Sequence, residues 1–141
     1  MLFQKRQRLI HRILIVEDEP LVAFDAEHLL TEAGYVVVAT VDNLAAAKEV
    51  IETDALDLVL SDIALSGDGD GVDVARIAVA KGVPVLFVTG NCGEEVQRLA
   101  VGCLAKPYTD RVLLNALAVV DDRLQGRVRK APRQLTIYAP A

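Results

Sequence analysis

Five apolar runs of four to six residues alternate along the chain with stretches whose apolar residues recur at helical spacing. Few folds accept that alternation. A run that is apolar at every position suits a strand buried on both faces, and such a strand reaches a parallel neighbour through a crossover, usually a helix. The runs fall at 12–16, 35–40, 56–61, 84–89 and 102–105. Pro20 suits the first turn of the first helix, whose Val22, Ala26, Leu29, Leu30 and Ala33 share one side before Gly34 stops it. Asn43 caps a second helix carrying Leu44, Ala47, Val50 and Ile51. A third starts near Gly71, turns Val74, Ile77 and Ala78 inward and ends at Gly82, and a short fourth covers 93–100. The fifth starts at Thr109 or Asp110 and aligns Val112, Leu113, Ala116, Leu117, Val120 and Leu124 before Gly126. The expected fold is α/β, (βα)5, with helices on both faces of a five-stranded parallel sheet.

The 141 residues suit one compact domain. The uncharged run 112–120 is nine residues long, about half of a bilayer span. A signal peptide is not expected, because Glu17, Asp18 and Glu19 interrupt the apolar run that follows the basic start. A cytoplasmic location follows as an expectation. There Cys92 and Cys103, too few for a disulfide scaffold or a zinc site, would stay reduced. Charge is segregated: residues 1–12 carry +4 and 123–141 carry +5 with no acid, while between them twenty acids face six bases, giving −14. Such a body attracts cations and repels nucleic acid. The boundaries expected are a basic extension over 1–11, a folded body over 12–125 and a mobile basic tail over 126–141. Within that tail the alternation of 134–138 also permits a short strand on a sheet edge, its own or a partner's.

In an open parallel sheet, ligands gather beyond the carboxyl ends of the strands. Here those ends read Glu17-Asp18-Glu19, Ser61-Asp62, Thr89-Gly90 and Lys106-Pro107. Asp18 and Asp62, on neighbouring strands, repel one another unless a cation lies between them, and all-oxygen ligands suit Mg²⁺. Glu17 adds charge and can hold a metal-bound water. Lys106 supplies a fixed cation able to pair with a carboxylate or with phosphoryl oxygens, and Thr89 a rotatable hydroxyl. A carboxylate nucleophile, a metal and donors aimed at a transferring group are what forming an aspartyl phosphate requires.

At these residues the chain resembles the response-regulator (CheY-like) receiver domains of two-component signalling. ILIVEDEP, LVLSDIAL, PVLFVTGN and LAKPY occur in the family's order, and the resemblance covers 12 to about 124. It implies a flavodoxin-like strand order 2-1-3-4-5. It also implies that Asp62 is the phosphoacceptor, Asp18 a direct Mg²⁺ ligand, Glu17 its acidic partner, Thr89 the switch hydroxyl and Lys106 the phosphate-contacting lysine. The backbone carbonyl of Ala64 would be a further metal ligand. The donor of the phosphoryl group would be a sensor histidine kinase or a phosphotransfer protein, and the chain would catalyse its own phosphorylation and dephosphorylation without being a turnover enzyme. Output would run through a downstream protein partner, without direct DNA binding and without a membrane. The fourth helix, fifth strand and fifth helix would form the output face and a candidate homodimer face.

The chain departs from the family pattern at Cys103, where an aromatic usually stands three residues before the lysine. VPVLFVTGN is similar to the fourth strand of the alphaproteobacterial FAT GUY subgroup, which also lacks that aromatic. That likeness moves the switch towards Thr89, Gly90 and the short helix after them, with Gly90 and Gly93 permitting backbone change. Ala64 and Asn91 flank the expected path of hydrolytic water, and Ala64 cannot orient it, so slow self-dephosphorylation is expected. Two readings of other classes compete. A pseudo-receiver would have the fold without phosphorylation. A cysteine phosphatase would use the C-x5-R spacing of Cys92 and Arg98, but Glu94 and Glu95 inside that loop repel a dianion. The loop 66–71 alternates Gly and Asp like a calcium loop but lacks the closing Glu, and reads as a connection. His11 and His28 read as surface residues.

Overall fold

Side-chain alternation along the strands divides the core in two. In β1 (Arg12–Val16) Ile13 and Ile15 face one side of the sheet, while Leu14 and Val16 face the other, and all four are buried. The computed structural model describes residues 7–65, 67–90, 92 and 99–138. Its order is β1, α1 (Pro20–Glu32), β2 (Val36–Val41), α2 (Leu44–Thr53), β3 (Leu58–Ser61), α3 (Gly71–Ala80), β4 (Val85–Thr89), β5 (Gly102–Ala105), α4 (Asp110–Leu124) and β6 (Leu135–Ile137). The first face packs Leu30 of α1 and Leu113, Leu117 and Val120 of α4 on Ile13, Ile15, Leu60 and Leu104. The second packs Ala47 and Ile51 of α2 and Val74 and Ala78 of α3 on Leu14, Val59 and Phe87. Burial on both faces explains why the strands read as continuous apolar runs.

Local chemistry fixes the helix ends. Pro20 opens α1, and Gly34 follows it at φ 97, a conformation in which glycine meets no Cβ penalty. The Asn43 side chain accepts the Ala46 N–H to start α2, and the Thr109 hydroxyl accepts the Val112 N–H to start α4. Asp70 and Asp73 form a reciprocal capping box at the start of α3. Asp70 of the calcium-like loop is thus a helix cap. The expected helix at 93–100 lies largely outside the described residues, as do Ser66, Asn91 and Arg98.

The sheet is six-stranded, in the order β2-β1-β3-β4-β5-β6. Five strands are parallel as expected, and the sixth corrects the expectation of five: β6 pairs antiparallel with β5, Cys103 opposite Thr136. Residues 135–137 of the expected mobile tail are therefore a sheet edge, and they cover the outer edge of β5 that was expected to belong to an output face. Gly102 makes this approach possible, since a Cβ there would stand 2.6 Å from the Thr136 carbonyl oxygen. The cysteines are also corrected. Cys92 and Cys103, expected as separate thiols, form a disulfide with Cα atoms 6.0 Å apart, ordinary spacing for that bond. Their proximity comes from the β4–β5 pairing, which sequence spacing does not reveal.

The basic ends fold back on the acidic body. The Arg8 guanidinium lies over the Tyr35 ring, 4.3 Å from its centroid, and hydrogen-bonds the Ala33 carbonyl. Arg129 Nε donates to buried Asp122 at 2.6 Å. Buried Asp121 accepts the N–H groups of Leu9 and Ile10.

Candidate functional site

β1 and β3 are neighbours, so the residues that follow them emerge side by side. The Asp62 N–H donates to the Val16 carbonyl at 2.9 Å, and the Glu17 N–H to the Val41 carbonyl at 2.9 Å. Each acid is thus held by the end of the adjacent strand. Glu17 and Asp62 are buried and Asp18 half-buried, with carboxylate oxygens of all three within 4.8 Å of one another. The loop after β3 is fixed from both sides. Asp62 Oδ1 accepts the Ala64 N–H at 3.1 Å, and its carbonyl accepts the Ser61 hydroxyl at 2.8 Å.

Lys106 reaches this cluster from the end of β5. Its Nζ donates to Glu17 Oε1 at 2.9 Å and to Asp62 Oδ2 at 2.8 Å. Burial alone would lower the lysine pKa, but the hydrogen bonds and charges of Asp62 and Glu17 outweigh it, so the pKa is raised and the ammonium stays charged. At Glu17 burial prevails and pushes the carboxyl above its ordinary value, against the donors Lys106 Nζ and Glu19 N–H. Thr89, buried at the end of β4, joins the same rim: its carbonyl accepts the Lys106 N–H at 2.8 Å.

The structure therefore brings together Glu17, Asp18, Asp62, Thr89 and Lys106 from four strand ends. Ala64 lies exposed beside them, and Gly90 follows Thr89. Cys103 stands apart, buried within β5 and bonded to Cys92. A cysteine held in a disulfide offers no thiolate, so this state is not the one a cysteine phosphatase needs. His11 is exposed, and His28 stacks on Phe24 and pairs with Glu32 on the surface of α1.

Two residues escaped the sequence reading. A Cβ on Gly71 would collide with the carbonyl oxygen of Asp62, so glycine there lets α3 start directly beneath the site. The sequence placed the helix start near Gly71 but gave no sign of this approach. Tyr108 lines the small cavity that also borders Glu17, Asp62 and Val88. Its place in the sequence, two residues past Lys106, was the available signal.

The donor set fits a small hard cation: three carboxylates, with a lysine already neutralising part of their charge. Residues 13–118 match the model of the response regulator receiver domain. The chain belongs to the response-regulator receiver family. Among curated relatives, transcriptional activator protein IrlR of Burkholderia pseudomallei is 34% identical over 102 residues, 69% of this chain and 44% of that protein. Transcriptional regulatory protein PdtaR of Mycobacterium tuberculosis is 31% identical over 120 residues, 81% of this chain and 58% of that protein. This receiver thus spans about half the length of the curated relatives it matches. Among solved structures, a response regulator receiver protein from Sinorhizobium medicae superposes with a TM-score of 0.69 at 31% identity, covering 79% of this chain and 94% of that one. The receiver domain of sensor histidine kinase PA1611 from Pseudomonas aeruginosa, solved with magnesium coordinated in its active-site cleft, gives 0.66 at 28% identity, covering 76% and 93%. No helix among the described residues is long and apolar enough to cross a membrane.

Proposed function

We propose that this receiver accepts a phosphoryl group on Asp62 from the phosphohistidine of a kinase or phosphotransfer protein and signals in the cytoplasm through protein–protein contact. The observation that carries this reading is the Lys106 ammonium bridging Glu17 and Asp62 beside Asp18. Such a lysine keeps a buried, multiply anionic cluster in place until a phosphoryl group arrives. A carboxylate oxygen of Asp62 then forms the P–O bond as the P–N bond to the donor imidazole breaks, and the imidazole leaves with its electron pair. Lys106 and the Thr89 hydroxyl hold the phosphoryl oxygens of the product. Asp18, Asp62 and the Ala64 carbonyl would hold Mg²⁺, with Glu17 behind them, and the ion supplies charge neutralisation at the transferring group. On this reading the chain catalyses its own phosphorylation and dephosphorylation and turns over no separate substrate. The acidic body, −14 between residues 13 and 122, supports output through a protein rather than through DNA. The likeness of VPVLFVTGN to that subgroup's fourth strand, together with the non-aromatic Cys103, supports a FAT GUY receiver as part of the same proposal.

The test is intact-mass spectrometry of wild type and Asp62→Asn after incubation with a small phosphodonor, with Mg²⁺ or with excess chelator. One phosphoryl adduct that needs both Mg²⁺ and Asp62 is expected. Label that survives Asp62→Asn would move the acceptor elsewhere, and no label even from a partner kinase would make the protein a pseudo-receiver.

A further inference from the structure

The disulfide joins two parts of the chain that meet at the phosphoacceptor rim. Cys92 lies three residues past Thr89, and Cys103 three residues before Lys106. These are the only cysteines in the chain. Their bond ties the segment leaving β4 to the middle of β5, where Cys103 pairs with Phe87 on one side and Thr136 on the other. The strand ends on either side of this tether are themselves linked by the Lys106 N–H and the Thr89 carbonyl. Accessibility gives the two sulfurs different roles. Cys103 is fully buried, in an apolar cluster that Tyr138 of the C-terminal segment helps to close, whereas Cys92 is partly exposed. An oxidant or a reductant therefore meets the pair at Cys92.

We propose that Cys92 and Cys103 form a reversible redox pair whose closed state holds the segment after Thr89 on β5 and slows phosphorylation of Asp62. The sulfur chemistry is independent of the receiver reading, whereas its effect on Asp62 rests on it. With a peroxide as oxidant, the Cys92 thiolate attacks the O–O bond, giving a sulfenic acid and a first water after protonation. The Cys103 sulfur then attacks the Cys92 sulfur, the S–O bond breaks and a second water leaves; two thiols and one peroxide thus yield one disulfide and two waters. A dithiol reverses this by exchange at Cys92, the partly exposed member of the pair. In the proposed cytoplasmic setting thiols are kept reduced, and a disulfide that forms there is transient and redox-sensing rather than structural. The effect on the site has a direct geometric basis. The closed state keeps Thr89 in the arrangement in which Lys106 occupies Asp62, and movement of the segment after Thr89 has to work against a covalent tether.

The experiment uses the full chain, reduced with dithiothreitol or oxidised with hydrogen peroxide, beside Cys92→Ser and Cys103→Ala treated identically. In wild type, peroxide is expected to remove the mass of two hydrogens and to link the peptides carrying Cys92 and Cys103, and dithiothreitol to restore both without unfolding. Labelling by a small phosphodonor with Mg²⁺ is expected to be about tenfold slower in the oxidised chain, a usual size for coupling between sites, and equal in the two states of either variant. A pair that does not form, that resists dithiothreitol in the folded protein, or that leaves the labelling rate unchanged would overturn the proposal. If no form takes label, from the phosphodonor or from a partner kinase, the phosphoacceptor reading fails by itself. The tether is then judged by hydrogen exchange at residues 88–90, where slower exchange in the oxidised chain supports it and equal exchange overturns it.

Discussion

At the scale of single residues, the site depends on how closely α3 can approach the loop after β3. Gly71 donates its N–H to the Ile63 carbonyl at 2.7 Å, and any Cβ there would collide with Asp62 backbone. Gly71→Ala is therefore expected to cost about 1–3 kcal/mol, the usual range for forcing a methyl into a packed site, and to slow labelling of Asp62 by displacing its loop. Urea unfolding and the labelling rate check the two effects, and a variant of unchanged stability would contradict the packing argument. The same residue shows where sequence reading stops. Pro20, Asn43 and Thr109 were legible as helix starts because a cap acts within one turn of its own position. Glu17, Asp18, Asp62, Thr89 and Lys106 were legible because each ends or follows a recognisable strand, and parallel strands bring their ends to one rim. Gly71 against Asp62, and Asp121 against the Leu9 and Ile10 N–H groups, depend on packing between elements and left no local signature.

At the scale of elements, the departure from the expected five-stranded sheet is β6, and its cause can be assigned. Antiparallel pairing places Ile137 opposite Gly102, with the Tyr138 N–H on the Val101 carbonyl at 3.0 Å and the Ala105 N–H on the Gln134 carbonyl at 2.9 Å. The alternation of 134–138 permitted a strand, but only the three-dimensional edge of β5 could select one. Gly102→Val would put a branched side chain where the Thr136 carbonyl now approaches. It is expected to release β6, so that the amides of 135–138 lose protection in hydrogen exchange while β1 and β3 keep theirs. Retained protection at Tyr138 would show that the strand does not depend on the missing side chain.

At the scale of the whole molecule, charge segregation is a folding device as well as a surface property. The C-terminal segment was expected to be a mobile tail, yet Arg129 donates to Asp122 of α4 and Arg123 of α4 to the Tyr138 carbonyl, while at the other end Arg8 donates to the Ala33 carbonyl. Burial also affects all three tyrosines. It raises Tyr35, Tyr108 and Tyr138 above their ordinary value of 10.0, and Arg8 near Tyr35 and Lys106 near Tyr108 reduce the effect. For a group whose folded pKa is raised, the linked stability is fully present below the unfolded value and is lost as pH climbs through the folded one. Stability is thus expected to fall as pH rises above 10.0, with phenolate absorbance appearing later in the folded chain than in urea. Coincident absorbance titrations would contradict the buried placement of these rings.

A phosphoryl group on Asp62 can be read at the atom concerned. Borohydride reduces an aspartyl phosphate to homoserine, so the chain is phosphorylated with Mg²⁺ present, reduced, digested and sequenced by peptide mass. Homoserine is expected at position 62 alone and absent when a chelator replaces Mg²⁺. Homoserine at position 18, or a phosphoryl group that resists borohydride, would contradict Asp62 as the acceptor.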